Sequence, residues 1–164
     1  MKYVLIFILF AISLFPQGEG LQIARLKYSG GADWYNDPSS EVNLLKFITK
    51  HTGIKTKPEY VFADISSDDI FLYPILFMTG HGNIVFSKKD SDNLRNYLLN
   101  GGFLFVDDDY GMDISFRREI KKVFPESELQ ELPFDYGLYK AFYDFPYGPP
   151  KTHQHDDKTP KGYG

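Results

Sequence analysis

The stretch "YPILFMTGHGN" (residues 73–83) joins an apolar run to a histidine flanked by glycines. The run between Pro74 and Gly80 is short and continuous, and it is bounded by two residues that interrupt regular structure. Such a run is typical of a strand buried on both faces of a parallel sheet. His81 and Gly82 follow at once. The pattern therefore predicts a central strand that places a histidine at the edge of a sheet.

Apolar runs and amphipathic segments alternate on both sides of this strand. Three further strands are predicted at "LQIARLK" (21–27), "EYVFADI" (59–65) and "FLFVD" (103–107), the last of them also buried. Strands that alternate with helices form parallel sheets with helices on both faces. The sequence therefore predicts a three-layer α/β domain built on a mainly parallel sheet.

Three helix starts are marked by capping residues. Asp37 is the expected N-cap of the first helix, with Pro38 at its first position. Ser87 and Asp90 form a Ser-x-x-Asp start for the second helix, and Asp113 is the expected cap of the third.

The first twenty residues are typical of a secretory signal peptide. Lys2 supplies a short positive start, residues 4–15 are apolar, and the small residues Gly18 and Gly20 follow. The apolar part is shorter than the roughly 20 residues that a membrane-spanning helix needs. A retained N-terminal anchor is the alternative interpretation.

These features predict the organisation of the chain. Residues 1–20 are expected to be removed on export to the periplasm or the extracellular space, which leaves no stable membrane span. Residues 21–150 are expected to form one α/β domain, and residues 151–164 an irregular tail that begins a further C-terminal part.

Composition excludes several kinds of site and partner. The net charge is −4 and no run of lysine or arginine occurs, which argues against nucleic acid or an anionic membrane as a partner. The chain has no cysteine, which excludes disulfides, thiolate nucleophiles and thiolate metal sites. No G-x-S-x-G, H-E-x-x-H or phosphate-loop pattern is present.

Polar residues follow each predicted strand. In a parallel sheet, ligands bind at the carboxyl ends of the strands, because the connecting loops and the helix N-termini converge there. Four loops are expected at that edge: "SGGADW" (29–34), "ADISSDD" (63–69), "TGHGN" (79–83) and "DDDYG" (107–111). The candidate ligand-binding residues in them are Asp33, Trp34, Asp64, His81, Asn83, Asp107, Asp108 and Asp109.

Two interpretations of His81 remain open at this point. As a functional residue it suits a general base, a metal ligand or a hydrogen-bond donor to a ligand. In the alternative, Gly80 and Gly82 serve the backbone conformation, and His81 bonds a neighbouring carbonyl.

The consecutive aspartates are also open to two interpretations. Asp107 and Asp109 are candidate ligands of a divalent cation, and Asp108 is a candidate catalytic residue beside His81. The spacing of an EF-hand is not met, because Arg118 occupies its glutamate position. Helix caps and turns explain the same aspartates.

Two segments near the end of the chain carry further candidates. His153 and His155 lie two apart, so an extended segment would present both on one side as zinc ligands, although an exposed tail has the same composition. The aromatic segment "FDYGLYKAFYDFPYG" (134–148) suits a carbohydrate-stacking platform, a lid over the sheet edge or a cover for the core.

Four motifs resemble a bacterial family that is catalogued as domain of unknown function 4159. They are "ARLKYSGGADWYNDP" (24–38), "TGHGN" (79–83), "LLNGGFLFVDDDYGMDISFRREIKKVFP" (98–125) and "HQHD" (153–156). The resemblance runs from Leu21 to the last residue. It implies a flavodoxin-like fold similar to class I glutamine amidotransferases and trehalose-utilisation-like proteins, with further strands beyond residue 164, and it implies no reaction.

Amidotransferases of that fold carry a cysteine nucleophile after a central strand. Here the comparable turn is Gly80-His81-Gly82, and the chain has no cysteine, so glutamine hydrolysis by that route is excluded.

Three functional hypotheses follow. The first is a binding or interaction module that uses the sheet edge for a small polar ligand or a carbohydrate. The second is a metal-assisted or acid–base hydrolase that uses His81 with residues 107–109. The third is a remnant without independent activity.

We predict that export removes Met1 to Gly20, because the charged start, the short apolar stretch and the Gly-x-Gly pair together form a cleavable leader. N-terminal sequencing of the secreted protein should begin at Leu21. Recovery of an intact Met1 in the membrane fraction would contradict this prediction.

Overall fold

The computed structural model describes residues 20–151 and 157–164. The predicted signal peptide therefore lies outside the described residues, except for Gly20. Within the part that is described, no helix has both the length and the apolar character needed to span a membrane.

Four parallel strands form the main sheet: β1 (Ile23–Lys27), β2 (Val61–Asp64), β3 (Ile75–His81) and β4 (Phe103–Tyr110), in the order β2-β1-β3-β4. Three helices flank it: α1 (Ser40–His51), α2 (Lys88–Leu99) and α3 (Asp113–Val123). Two short 3₁₀ helices, Asp68–Leu72 and Gly137–Lys140, and a separate antiparallel pair, β5 (Glu131–Leu132) and β6 (Gly162–Tyr163), complete the described elements. The predicted three-layer α/β fold is confirmed, and the strand order is consistent with a flavodoxin-like arrangement.

One face of the sheet carries the hydrophobic core. Ala24 of β1 lies opposite Leu76 of β3, which in turn lies opposite Leu104 of β4. These residues and the alternate residues Leu26 and Met78 pack with apolar side chains of α2, of α3 and of the 3₁₀ helix at residues 68–72. The period of two along each strand thus directs the apolar set toward these helices.

The opposite face is built around a buried charge. Arg25 is fully buried, and its Nε and Nη2 atoms donate to both carboxylate oxygens of Glu41, in the first turn of α1. Its guanidinium also lies 4.9 Å from the centroid of the Phe77 ring. This ion pair joins α1 to the face of β1 that the main core does not cover.

β4 differs from the sequence-based expectation. The run "FLFVD" is expected to be buried, but among the described residues β4 lies at the end of the sheet and pairs with β3 alone. Phe103 and Phe105 are 56% and 52% exposed, although Phe105 stacks on Phe77. An apolar run alone does not distinguish a central strand from an edge strand.

The three helix starts agree with the sequence to different degrees. The capping box of α2 is confirmed, because Ser87 accepts from the Asp90 amide and Asp90 accepts from the Ser87 amide. The expectation that Asp113 caps α3 is wrong, because Asp113 is the first helical residue and the carboxylate that accepts from the amides at this helix start is Asp108. The expectation for α1 is wrong, since α1 begins at Ser40, and Asp37 has a φ of 48° that no helix start adopts.

Residues 134–148 partly cover α1. Phe142 and Tyr143 contact Phe47 of α1, while Tyr147 is 82% exposed. At the end of the chain, the backbones of Gln130 and Gly164 exchange two hydrogen bonds beside the β5–β6 pair. The segment expected to be an irregular tail therefore includes a short strand.

We predict that Arg25→Met lowers the free energy of unfolding by about 3–5 kcal/mol, because Glu41 is left as a buried, uncompensated charge. The double variant Arg25→Met/Glu41→Leu should recover part of that loss, since it removes both charges. Urea denaturation measures both effects.

Lys88→Ala is the matched control for this prediction. It breaks the Lys88–Asp92 pair, which is exposed, and it should leave the free energy of unfolding unchanged within error. A similarly small loss in Arg25→Met would show that the buried pair does not support the fold.

Candidate functional site

The strand order reverses between β1 and β3, since the chain leaves β1 toward β2 on one side and β3 toward β4 on the other. At such a reversal, the loops after the two strands diverge and leave a crevice at the carboxyl-terminal edge. Asp33 lies in the loop after β1, and His81 is the last residue of β3. The two residues meet at this point.

His81 lies between two carboxylates. Its Nδ1 is 3.1 Å from Oδ2 of Asp33, and its Nε2 is 3.2 Å from Oδ2 of Asp109. The His81 backbone amide also donates to Oδ1 of Asp33. The imidazole is 42% exposed, so it remains accessible to a ligand.

Both flanking glycines have backbone conformations that L-residues rarely adopt. Gly80 has a φ of 144° and Gly82 a φ of 91°. A Cβ on Gly80 would lie 2.7 Å from the hydroxyl oxygen of Tyr28 and 3.2 Å from Oδ1 of Asp33. The two glycines therefore have the backbone role that was expected for them. The His81 imidazole, however, contacts the carboxylates of Asp33 and Asp109 and not a neighbouring carbonyl.

Interactions with His81 lower the pKa of Asp33. Partial desolvation acts to raise the pKa of this carboxyl, but hydrogen bonds from the His81 amide and ring, together with the His81 charge, outweigh it. The Asp33 side chain is about a third exposed, so solvent screens part of this effect. Asp33 is therefore held in its ionised form beside the imidazole.

Asp109 joins β4 to the loop after β1. Its Oδ2 accepts a hydrogen bond of 2.7 Å from Nδ2 of Asn36, and its side chain is only 14% exposed. Asn36 was not among the candidates from sequence, because its side chain reaches a residue 73 positions away and no local pattern marks it. The site thus consists of Asp33, Asn36, His81 and Asp109.

The three consecutive aspartates do not form one cluster around His81. Asp108 accepts from the backbone amides of Met112 and Asp113 at 2.7 and 3.1 Å, so its carboxylate caps α3. Asp107 is exposed as a whole residue, yet neighbouring atoms desolvate its carboxyl. This desolvation, and then the charges of Asp109, Asp108 and Asp37, raise the pKa of Asp107.

The remaining candidates, Asn83, Asp64 and Trp34, make their recorded contacts with residues other than His81. Nδ2 of Asn83 donates to the Gly30 carbonyl, and Oδ1 of Asn83 accepts from Arg118. Asp64 pairs with Lys27 and accepts from Ser66. Trp34 packs on the edge of the core.

One face of α3 holds the segment that follows His81. Ser115 donates to the Gly82 carbonyl and accepts from the Ile84 amide, and Arg118 donates to the Ile84 carbonyl. Glu119 accepts from the amide of Phe86, whose carbonyl accepts from Lys122. These contacts fix the backbone directly after the site.

The metal-ligand roles of Asp107, Asp109, His153 and His155 stay predictions. Across 20–151 and 157–164, no group of three or more histidine, aspartate or glutamate side chains has an arrangement that could hold a metal ion. His153 and His155 lie outside the described residues.

A comparison with protein families identifies a family for the chain. A family model with the description "Domain of unknown function (DUF4159)" matches residues 22–164. No curated protein matches the chain.

We predict that the pH dependence of stability reports the Asp33–His81 contact. A carboxyl with a lowered folded-state pKa stabilises the fold fully above its ordinary pKa of 3.8, and this stabilisation is lost as the pH falls through the lower folded-state pKa. Asp33→Asn should therefore be less stable than the unmodified chain at pH 6, and the two should converge below pH 3.8.

Chemical denaturation at a series of pH values measures this difference. Asp135→Asn is the control, because Asp135 is exposed, and its difference in stability from the unmodified chain should not depend on pH. A constant difference between Asp33→Asn and the unmodified chain at every pH would contradict the prediction.

Proposed function

The chain belongs to the DUF4159 domain family, and we propose that it binds a small, hydroxyl-bearing polar ligand at the carboxyl-terminal edge of its sheet. One observation carries the proposal: His81 and two carboxylates converge where the strand order reverses. Ligands of open α/β sheets bind at this place.

The negative charge at this edge of the sheet favours a neutral or cationic ligand over an anion. Asp33, Asp37, Asp107 and Asp109 lie on the loops and the strand end that form this edge. Burial of the Asp107 carboxyl raises its pKa, and repulsion from the neighbouring carboxylates raises it further. An anion would meet the same repulsion. Carboxylate oxygens accept hydrogen bonds, so a ligand that presents hydroxyl hydrogens matches this edge.

The backbone that carries the site residues is held in place on both sides, which favours ligand binding without rearrangement. The loop after β1 is held by Arg25, which donates to the carbonyls of Trp34 and Asn36, and the segment after β3 is held by α3. Side chains on such supports lose little conformational freedom when a ligand arrives.

The second candidate function is acid–base hydrolysis. The contact between Asp33 and Nδ1 of His81 favours it, because a carboxylate in that position orients an imidazole for proton transfer. Against it, Nε2, which would exchange the proton with a substrate, faces Asp109. Binding is therefore the better-supported function, and breakdown of a bound ligand that ceases in His81→Ala would favour hydrolysis.

We predict that sorbitol and myo-inositol shift the backbone amide NMR resonances of His81 and Gly82 in a saturable way, whereas citrate does not. His81→Ala should weaken binding by about ten- to a hundredfold, as expected for loss of a hydrogen bond to a charged group.

His51→Ala is the matched control, because His51 stacks on Phe47 of α1 and lies away from this edge. It should bind with unchanged affinity. Equal binding by the His81 and His51 variants, or stronger binding of citrate than of the polyols, would contradict the proposal.

A further inference from the structure

Three aromatic side chains form an exposed surface beside Asp33. Trp34 lies next to Asp33 in the chain, and its ring centroid is 5.6 Å from that of Tyr35 and also 5.6 Å from that of Phe62. Tyr35 is 62% exposed and Phe62 is 55% exposed. We call Trp34, Tyr35 and Phe62 the aromatic group.

A polar pair lies next to the aromatic group on the same face of the sheet. Phe62 is in register with Arg25, and two residues further along both strands Asp64 is in register with Lys27. Nζ of Lys27 is 3.3 Å from Oδ2 of Asp64, and both side chains remain nearly half exposed. Residues two apart on a strand point to the same side, so ring faces and hydrogen-bonding groups share one surface.

Buried contacts fix the backbone of the aromatic group. The Arg25 guanidinium, itself fully buried, donates to the Trp34 carbonyl at 2.8 Å and also to the carbonyls of Asn36 and Asp37. Trp34 packs on the core, which leaves Tyr35 and Phe62 as its exposed neighbours. The surface is therefore preformed and does not need a ligand to assemble it.

We propose that the aromatic group is a carbohydrate subsite that stacks the apolar face of a pyranose ring. A pyranose combines a flat C–H face with hydroxyls around its edge, and it matches a surface that combines ring faces with an adjacent carboxylate and amine. The proposal rests on the proposed function, because Trp34 directly follows Asp33, the partner of His81. It specifies the polar ligand at this edge as a sugar.

The ring planes indicate the form of sugar that fits. Trp34 and Phe62 are inclined by 48°, and Trp34 and Tyr35 by 85°. A flat glycan chain cannot lie on two faces at these angles. The aromatic group therefore stacks a single sugar unit, or successive units of a chain that turns between them.

Trp34 is the only tryptophan in the chain, so its fluorescence reports on this surface alone. Maltohexaose, cellohexaose and xylohexaose are titrated separately against the full chain, with sorbitol as a control that has hydroxyls but no ring face. At least one of the three oligosaccharides should change the Trp34 emission in a saturable way, and sorbitol should not.

Tyr35→Ala should weaken that binding by about two- to tenfold, the range expected for loss of one aromatic contact. Tyr147→Ala is the matched control, because Tyr147 is 82% exposed and lies in the segment 134–148. It should leave the affinity unchanged. Circular dichroism and thermal melting confirm that both variants are folded.

The outcomes separate this inference from the proposed function. If sorbitol shifts the backbone amide NMR resonance of His81 but no oligosaccharide changes the Trp34 emission, the proposed carbohydrate subsite is wrong and the proposed polar-ligand site stands. If the Trp34 response is the same in His81→Ala, the subsite stands and the proposed role of His81 is wrong. Self-association by sedimentation that Tyr35→Ala abolishes would assign the aromatic group to contact between copies and overturn the inference.

Discussion

A single buried guanidinium organises the structure. Burial of a charge is costly unless its hydrogen-bonding capacity is filled, and Arg25 fills it with the Glu41 carboxylate and three backbone carbonyls. No buried side-chain nitrogen or oxygen of the described residues lacks a partner. Because the carbonyls belong to the loop after β1 and the carboxylate to α1, the same group fixes both. The positions of Asp33 and Asn36 follow from that loop.

Much of the fold could be predicted from local patterns. The run around Leu76 marked β3, and Ser87 with Asp90 marked α2, because strand burial and helix capping depend on residues close in sequence. The start of α1 was missed for a long-range reason. Arg25 holds the carbonyl of Asp37, whose φ of 48° is incompatible with a helix, and the helix begins after it. The exposure of β4 likewise depends on strand order, which no single run of residues encodes.

The candidate site was predicted in part. Asp33, His81 and Asp109 lie at or after the ends of β1, β3 and β4. The sequence therefore predicts that they lie close together, because loops at the same edge of a parallel sheet converge. Which neighbouring aspartate would face His81 could not be read from three identical residues in a row. The register shift between β3 and β4 at Gly80/His81 and the nearby start of α3 decide it, since Asp108 caps the helix N-terminus and Asp109 faces His81.

The support that α3 gives to the segment after His81 has a consequence for sequence divergence. Four polar residues, Ser115, Arg118, Glu119 and Lys122, contact this segment, and apart from the Arg118–Asn83 bond their contacts are with its amides and carbonyls. Backbone atoms are the same in every residue except proline. The exposed side chain of Val85 takes no part in these hydrogen bonds, so it can change over evolution while the segment keeps its place. This edge can acquire new ligand preferences without a new scaffold.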